Sequence, residues 1–293
     1  MKKNTKLLAM MFTSPFIIST VYAVSSTTPS IVKTVMPLGV TSQVLNQLNI
    51  SDIHIPDGNK PLRCRSLRYR TVDVKPGSDI GLNNHENSPD LLGVIHGTSI
   101  SYPYGHDPVT VKVGETYKEY KNVHYAKNGS KTEGLTMTTF DLMDDGTLCN
   151  GVTYPQNSPL LDRLTKTNDP IVNGAPKDSD GEKSNPTYKH KISDISFSTE
   201  SASLNARVLS IRKVTLSPGV ALPHRDYTNR PAYLMVLNGK LIIAMNGHKQ
   251  RLGKLAMADL VNKRGALIGN HIPTKPVTYL IMEIWDPTDA NTL

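Results

Sequence analysis

The sequence predicts an all-β protein built from two barrels in tandem, and two observations carry that prediction. The chain contains itself twice. The stretch from Pro76-Gly77 to Gly97 and the stretch from Pro218-Gly219 to Gly239 share their opening, their length and their closing glycine, 142 residues apart. The same offset carries His124 to Ala266, Asn128 to Asn270 and Asp144 to Asp286. A fixed offset of this kind marks a duplicated unit of about a hundred residues. The second observation is the texture of each unit. Short apolar runs bounded by Gly, Pro and Asn recur at roughly eight-to-twelve-residue spacing without helical patterns between them, which favours a sandwich or barrel.

Composition agrees with that class. At 293 residues the chain is long enough for two domains. It holds 20 Gly and 20 Pro but one Trp and four Phe, with 38% hydrophobic residues, as a turn-rich β protein would. Of the formal charge of +8, three cations (Lys2, Lys3, Lys6) fall in the leader, leaving +5 on scattered side chains. No Lys/Arg run interleaves with aromatics, so nucleic acid is not an expected partner.

Met1 to Ala23 has a Lys-rich start, an apolar run from Leu7 through Ile18 and a small-residue ending at Val21-Tyr22-Ala23. That pattern predicts a secretory signal over residues 1–23, cleaved before Val24, and hence a periplasmic or secreted protein. No later segment approaches about 18 apolar residues, so no membrane association is expected after cleavage. Export places Cys64 and Cys149, which flank the first unit, in an oxidising compartment. A disulfide between them would staple both ends of that unit; two buried free thiols are the alternative.

Residues 24–59 carry Ser, Thr and Pro with two apolar patches, Ile31 to Val40 and Val44 to Ile55. They are expected to form an N-terminal arm packed on a domain, with a short helix near Ser42 to Leu48. The first barrel is expected over residues 60–150. Leu67 to Val74 alternates as a strand should and stops at Pro76-Gly77. Leu91 to Ile95 and Thr98 to Tyr102 flank Gly97; Val109 to Val113 and Tyr117 to Tyr120 lead into Asn122 to Asn128, and Gly134 to Leu142 alternates again. Residues 151–194 set Pro155, Pro159, Pro170, Pro176 and Pro186 among polar residues, the composition of a linker with a short helix at Pro159 to Leu164. The second barrel is expected over 195–293. There Tyr233 to Leu237 and Lys240 to Met245 join at Asn238-Gly239, a hairpin signal, and Val277 to Trp285 closes the unit.

The chemistry lies in the first copy. Gly77 is followed after five residues by Asn83-Asn84-His85, then after four by Asp90, and after six more by Gly97; later His124 is followed after three residues by Asn128. These spacings resemble the two motifs of the cupin superfamily, which are Gly, five residues, His-x-His, three or four residues, Glu, six residues, Gly, and then His, three residues, Asn. The resemblance implies two cupin-like jelly-roll barrels, a bicupin, over about two-thirds of the chain. Asn83 stands where the family has its first His, and Asp90 where it has Glu. His85, Asp90 and His124 still supply two imidazoles and a carboxylate, the set of mononuclear non-haem iron centres, with Asn83 adding a weak oxygen or a held water. One divalent transition metal is expected, iron or manganese first, with zinc or nickel also suited to such donors.

The second copy keeps the backbone signals and loses the donors. His224 is followed by Asp226; Ala232 takes the acid position and Ala266 the last His position. A lone His and Asp do not hold a divalent ion in a closed site, so this barrel is expected to be metal-free, with His224, Asp226 and Arg230 lining a vestigial pocket or an interface. His96, Tyr102, Tyr104 and His106 cluster after the first hairpin, and Tyr102 and His106 are candidates for the rim of the first cavity, against a plain solvated loop. Glu86, next to His85 in an extended segment, is not counted as a ligand.

The resemblance is specific for fold and loose for function, since the superfamily includes dioxygenases, decarboxylases, isomerases, sugar-binding modules and storage proteins. The leading expectation is a metal-dependent bicupin acting on a small organic molecule by oxidoreductase or dioxygenase chemistry. In that scheme O₂ and a substrate carboxylate or enol oxygen take the open metal positions, and the second barrel serves as scaffold or homodimer face. The competing expectation is a non-catalytic protein that binds a sugar-like ligand or a partner protein, favoured by the lost donors.

Overall fold

A computed structural model describes residues 37–176, 181–195, 197 and 204–288. The leader expected at residues 1–23 lies outside the described residues, as do residues 24–36 of the expected arm. Among the described residues no helix is long and apolar enough to cross a membrane.

The strands in chain order begin with β1 (Val40–Asn49), β2 (Ser66–Val74), β3 (Asp79–Asn84), β4 (Asp90–His96) and β5 (Thr98–Pro103). They continue with β6 (Val109–Lys112), β7 (Thr116–Glu119), β8 (Val123–Asn128) and β9 (Leu135–Met143). Helices α1 (Pro159–Lys166) and α2 (Pro170–Gly174) precede β10 (Glu182–Lys191). The second half supplies β11 (Val208–Leu216), β12 (Ala232–Asn238), β13 (Leu241–Met245), β14 (His248–Leu252), β15 (Met257–Asp259), β16 (Leu267–Asn270) and β17 (Val277–Trp285). The first jelly roll packs the sheet β10-β2-β9-β4-β7 against β3-β8-β5-β6, and the second packs β1-β11-β17-β12-β15 against β14-β13-β16. All the pairings are antiparallel.

Two segments depart from the sequence expectation. Residues 42–48, expected as a short helix, lie inside β1, and β1 does not join the barrel that follows it. It pairs with β11 of the second barrel, Val40 opposite Leu216 and Asn49 opposite Val208. Within the expected linker, β10 is a strand of the first barrel, with Glu182 opposite Val74 and Lys191 opposite Ser66. The two strands are themselves repeats. Val40 to Asn49 and Glu182 to Lys191 are 142 residues apart, and the register breaks at the same place in both, between Val44 and Asn46 and between Pro186 and Tyr188. Each runs into a single 3₁₀ turn with the same sequence, Ile50-Ser51-Asp52-Ile53 and Ile192-Ser193-Asp194-Ile195. The repeat therefore starts at the exchanged strand. Composition hides it because β1 buries only Val40 and Leu48 of its ten residues, so an edge strand reads as polar loop.

Alternation sorts the side chains of the main strands. On β2, Leu67 and Tyr69 face the core shared by the two barrels, while Val72 and Val74 face the interior of the first. On β9, Phe140 and Leu142 face the shared core, and Leu135 and Met137 the barrel interior. The shared core is closed by aromatic contacts across the barrels, with Tyr69 and Tyr233 stacked at 5.5 Å and Phe140 edge-on to Tyr233 at 5.9 Å. The second barrel fills its own interior with apolar residues, including Ala232 and Ala266 at the positions matching Asp90 and His124.

The motif residues outside the donor set have structural work. Asn128 Nδ2 donates to the carbonyls of Val74, Lys75 and Glu133, and Asn270 Nδ2 to those of Leu216, Ser217 and Lys275, the same three positions in the next repeat. Gly97 has φ +79°, and a Cβ there would lie 2.5 Å from the Gly134 carbonyl oxygen, which is why the hairpin requires glycine. Cys64 and Cys149 are joined, with Cα atoms 5.4 Å apart, fastening the start of β2 to the segment after β9.

Candidate metal centre

His85 follows the end of β3, and its backbone pairs with the turn before β8: His85 N–H donates to the Asn122 carbonyl and Lys121 N–H to the His85 carbonyl. His124 is the second residue of β8 and only 2% exposed. Between them stands Glu119, the last residue of β7, 4% exposed. His85 Nε2 lies 3.4 Å from Glu119 Oε2, and His124 Nε2 lies 3.5 Å from Glu119 Oε1. One donor atom from each of the three falls within 4.8 Å of the others.

Both imidazoles are oriented from behind. His85 Nδ1 is 2.8 Å from the Ser88 carbonyl, which only accepts, so Nδ1 carries the proton and Nε2 is left with its lone pair toward Glu119. His124 Nδ1 is 2.8 Å from Ser101 Oγ; the tautomer that donates Nδ1–H to Ser101 leaves Nε2 bare as well. His124 Nε2 is buried and has no hydrogen-bond partner. Two bare nitrogens and a carboxylate converging in a buried cavity of about 30 Å³ are mutually repulsive unless a cation or proton sits among them. This donor set fits a divalent transition metal held by two histidines and one carboxylate.

The electrostatics point the same way. Burial holds the His85 imidazole below its ordinary range against the pull of Glu119, and burial takes His124 down to about 4. Both are thus neutral near pH 7, as metal ligation requires. Burial raises the Glu119 carboxyl, with His85 and Arg70 opposing.

Asp90, expected as the carboxylate ligand, is a neighbour of the cluster and not one of its three converging groups. Its Oδ1 accepts the Phe140 N–H at 3.0 Å, and burial, Asp141 and Glu119 push its carboxyl well above the ordinary value. It lies directly across the β4–β7 ladder from Glu119. An aspartate is one methylene shorter than the family's glutamate, and the next strand supplies a glutamate that does reach. Sequence reasoning missed Glu119, although it stands five residues before His124 at the end of a strand. Asn83 sits across the β3–β8 ladder from His124 and lines the cavity, with its Nδ2 donating to the Gly81 carbonyl.

The remaining candidates point elsewhere. On β5, Ser101 turns inward to His124, so Tyr102 turns outward, stacking on Tyr125 at 4.6 Å. His106 is exposed in the turn after β5. In the second barrel His224 is exposed, its Nδ1 2.8 Å from the Gly265 carbonyl, and Asp226 is exposed in a turn closed by the Thr228 N–H. The positions 142 residues after His85, Glu119 and His124 hold Tyr227, Val261 and Ala266, all buried, with Tyr227 and Ala266 in the interior of that barrel and Val261 in the shared core. Glu86 points away from His85 and caps α1, its carboxylate accepting the N–H groups of Leu160 and Leu161.

The chain folds as two jelly-roll barrels in tandem, and its motif spacing resembles that of the cupin superfamily. No protein-family model and no curated protein matches the sequence. Among solved structures the chain is similar to vicilin from Corylus avellana (hazelnut) at 12% identity, over 75% of this chain and 76% of that one, TM-score 0.46. It is similar to a salicylate 1,2-dioxygenase from Pseudaminobacter salicylatoxidans at 13% identity, over 73% and 71%, TM-score 0.43. It is similar to an oxalate decarboxylase at 15% identity, over 85% and 79%, TM-score 0.45. At these identities and scores the similarities concern the fold and carry nothing further.

Proposed function

We propose that the protein is an exported, metal-dependent bicupin that acts on a small organic molecule by oxidoreductase or dioxygenase chemistry in its first barrel. The observation that carries this reading is the convergence of His85, Glu119 and His124 within 4.8 Å, with both histidines tied from behind. A bound iron or manganese ion would supply Lewis-acid and one-electron chemistry. The chain's own contribution is to present three donors on one side, to keep both imidazoles neutral, and to wall the cavity with Ile80, Leu92 and Met137, which limit water around the reacting groups. Asp90, whose carboxyl is pushed up by burial and by Asp141 and Glu119, would serve as a proton-holding group beside the cluster. The second barrel serves as scaffold and as the face of a homodimer.

Loss of all three donor positions in the second barrel favours a second reading, a binding protein without catalysis. Elemental analysis of tag-free protein separates the two. Stoichiometric iron or manganese is expected in the wild type and in Asp90→Asn, and its loss in Glu119→Gln and His124→Ala. Wild-type protein that carries no metal after gentle purification overturns the enzyme reading. Loss in Asp90→Asn with retention in Glu119→Gln restores the ligand set expected from the motif.

A further inference from the structure

We propose that a chamber just outside the His85–Glu119–His124 cluster is a binding site for a small organic carboxylate, held by the guanidinium groups of Arg65 and Arg70. The chamber has a volume of about 230 Å³ and shares Arg70, Asn83 and His85 with the cavity of the cluster, so its occupant lies against a metal-ligand histidine. The basic residues on its wall follow from strand alternation. The inner face of β2 reads Arg68, Arg70, Val72, Val74, changing from basic at the mouth to apolar in depth.

The positive charge there is only partly neutralised. Arg68 takes the nearest acid, with Nη2 2.7 Å and Nε 3.0 Å from Asp141 Oδ2. Asp144, the other acid on the wall, is paired with Lys60 at 3.0 Å. Arg65 and Arg70 hydrogen-bond only to neutral groups, with Asp144 acting on Arg65, and Glu119 and Asp90 on Arg70, from beyond ion-pair distance. Arg65 donates from Nε to the Lys60 carbonyl and from Nη1 to the Asn87 carbonyl. Arg70 donates from Nε to Thr139 Oγ1 at 3.2 Å and from Nη1 to Ser184 Oγ at 3.1 Å. Among the described residues no carboxylate oxygen lies within 4.0 Å of either guanidinium. Arg65 is 1% exposed, and a buried guanidinium without a directly bonded carboxylate is costly.

The second barrel is an internal control. Its counterpart of Arg70 is Arg212, and its counterpart of Asp141 is Glu283. There the two are bonded directly, while the position of Arg68 is Ser210. The first barrel adds an arginine that captures the acid and thereby releases Arg70. A guanidinium fork presented to a small chamber matches a carboxylate in shape and charge. Asn83, Asn84 and Asn157 on the wall supply amides for its other polar atoms, and Met143 an apolar contact. As a statement about substrate, the inference rests on the metal-centre reading; as a statement about binding, it stands without it.

The test is calorimetric titration of the full chain with benzoate and with its neutral isostere benzamide at fixed pH and low salt. Benzoate is expected to bind at least tenfold more tightly than benzamide. Arg70→Gln should erase that preference and Arg70→Lys should restore part of it. Arg65→Gln risks misfolding because its guanidinium also holds two carbonyls, so the half-buried Arg70 carries the comparison. The titration is repeated on His124→Ala. Benzoate binding retained in that variant places the anion site in the chamber, and metal content then reports separately on the metal centre. Equal binding of benzoate and benzamide, an unchanged preference in Arg70→Gln, or tighter binding of inorganic phosphate than of benzoate overturns the proposal.

Discussion

Glu283 is fully buried in the second barrel between two arginines, bonded to Arg212 Nη2 and 2.6 Å from Arg230 Nε. Burial alone would raise its carboxyl; Arg212 and Arg230 outweigh burial and hold it at about 2, against 4.5 for the free group. The folded value lies below the unfolded one, so ionised Glu283 stabilises the fold above about pH 4.5, and that contribution disappears as pH falls through 2. The gap between 4.5 and 2 corresponds to about 3 kcal/mol, more than half of it gone by pH 3. Glu283→Gln leaves buried guanidinium groups without their shared anion and should cost roughly 3–5 kcal/mol at pH 7. In a chain of this length that lowers the thermal midpoint by roughly 10 °C. Chemical unfolding of wild type and variant at pH 7 and pH 3 reads both effects, because the difference removes titrations common to the two proteins. A variant within 1 kcal/mol of wild type at pH 7, or a difference that does not narrow at pH 3, refutes the reasoning.

Two further outcomes follow from the contacts. Ser101→Ala removes the group behind His124 Nδ1 and should weaken metal affinity by about 10–100-fold while leaving the fold intact; unchanged affinity in a chelator competition would show that Ser101 does not orient the ring. Replacing Cys64 and Cys149 together by Ser opens a loop of 85 residues and should cost at most about 4–5 kcal/mol in chemical unfolding, an effect that reductant reproduces in the wild type; a reductant-insensitive midpoint contradicts it.

The jelly rolls were legible in the chain because their signals are local. Alternation on β2 and β9, the hairpin glycines Gly97 and Gly239, and Asn128 and Asn270 all serve backbone geometry and recur at one offset. Two of the three converging donors, His85 and His124, were legible for the same reason, through motif spacing. The third was not. Motif spacing assigns the carboxylate to position 90, but reach decides which acid arrives, and an aspartate tied to the Phe140 N–H yields to Glu119 on the neighbouring strand. The arginines of β2 were equally silent, because their role depends on which acid each meets across the barrel. The strand exchange was written in the repeated Ile-Ser-Asp-Ile of Ile50 to Ile53 and Ile192 to Ile195, yet a polar edge strand carries no hydrophobic pattern to draw the eye.

That exchange has a consequence for how the molecule can be assembled and dissected. Neither barrel is completed by the half-chain that encodes most of it. During synthesis β1 emerges first and has no ladder to join until β11 appears some 160 residues later, while the first barrel gains its outer strand only when β10 has been made. A polypeptide cut anywhere between Met143 and Glu182 would leave each half with a barrel lacking one strand and with a spare strand that belongs to the other. Two such fragments mixed together should find each other, and either one alone should be insoluble or borrow the missing ribbon from its twin.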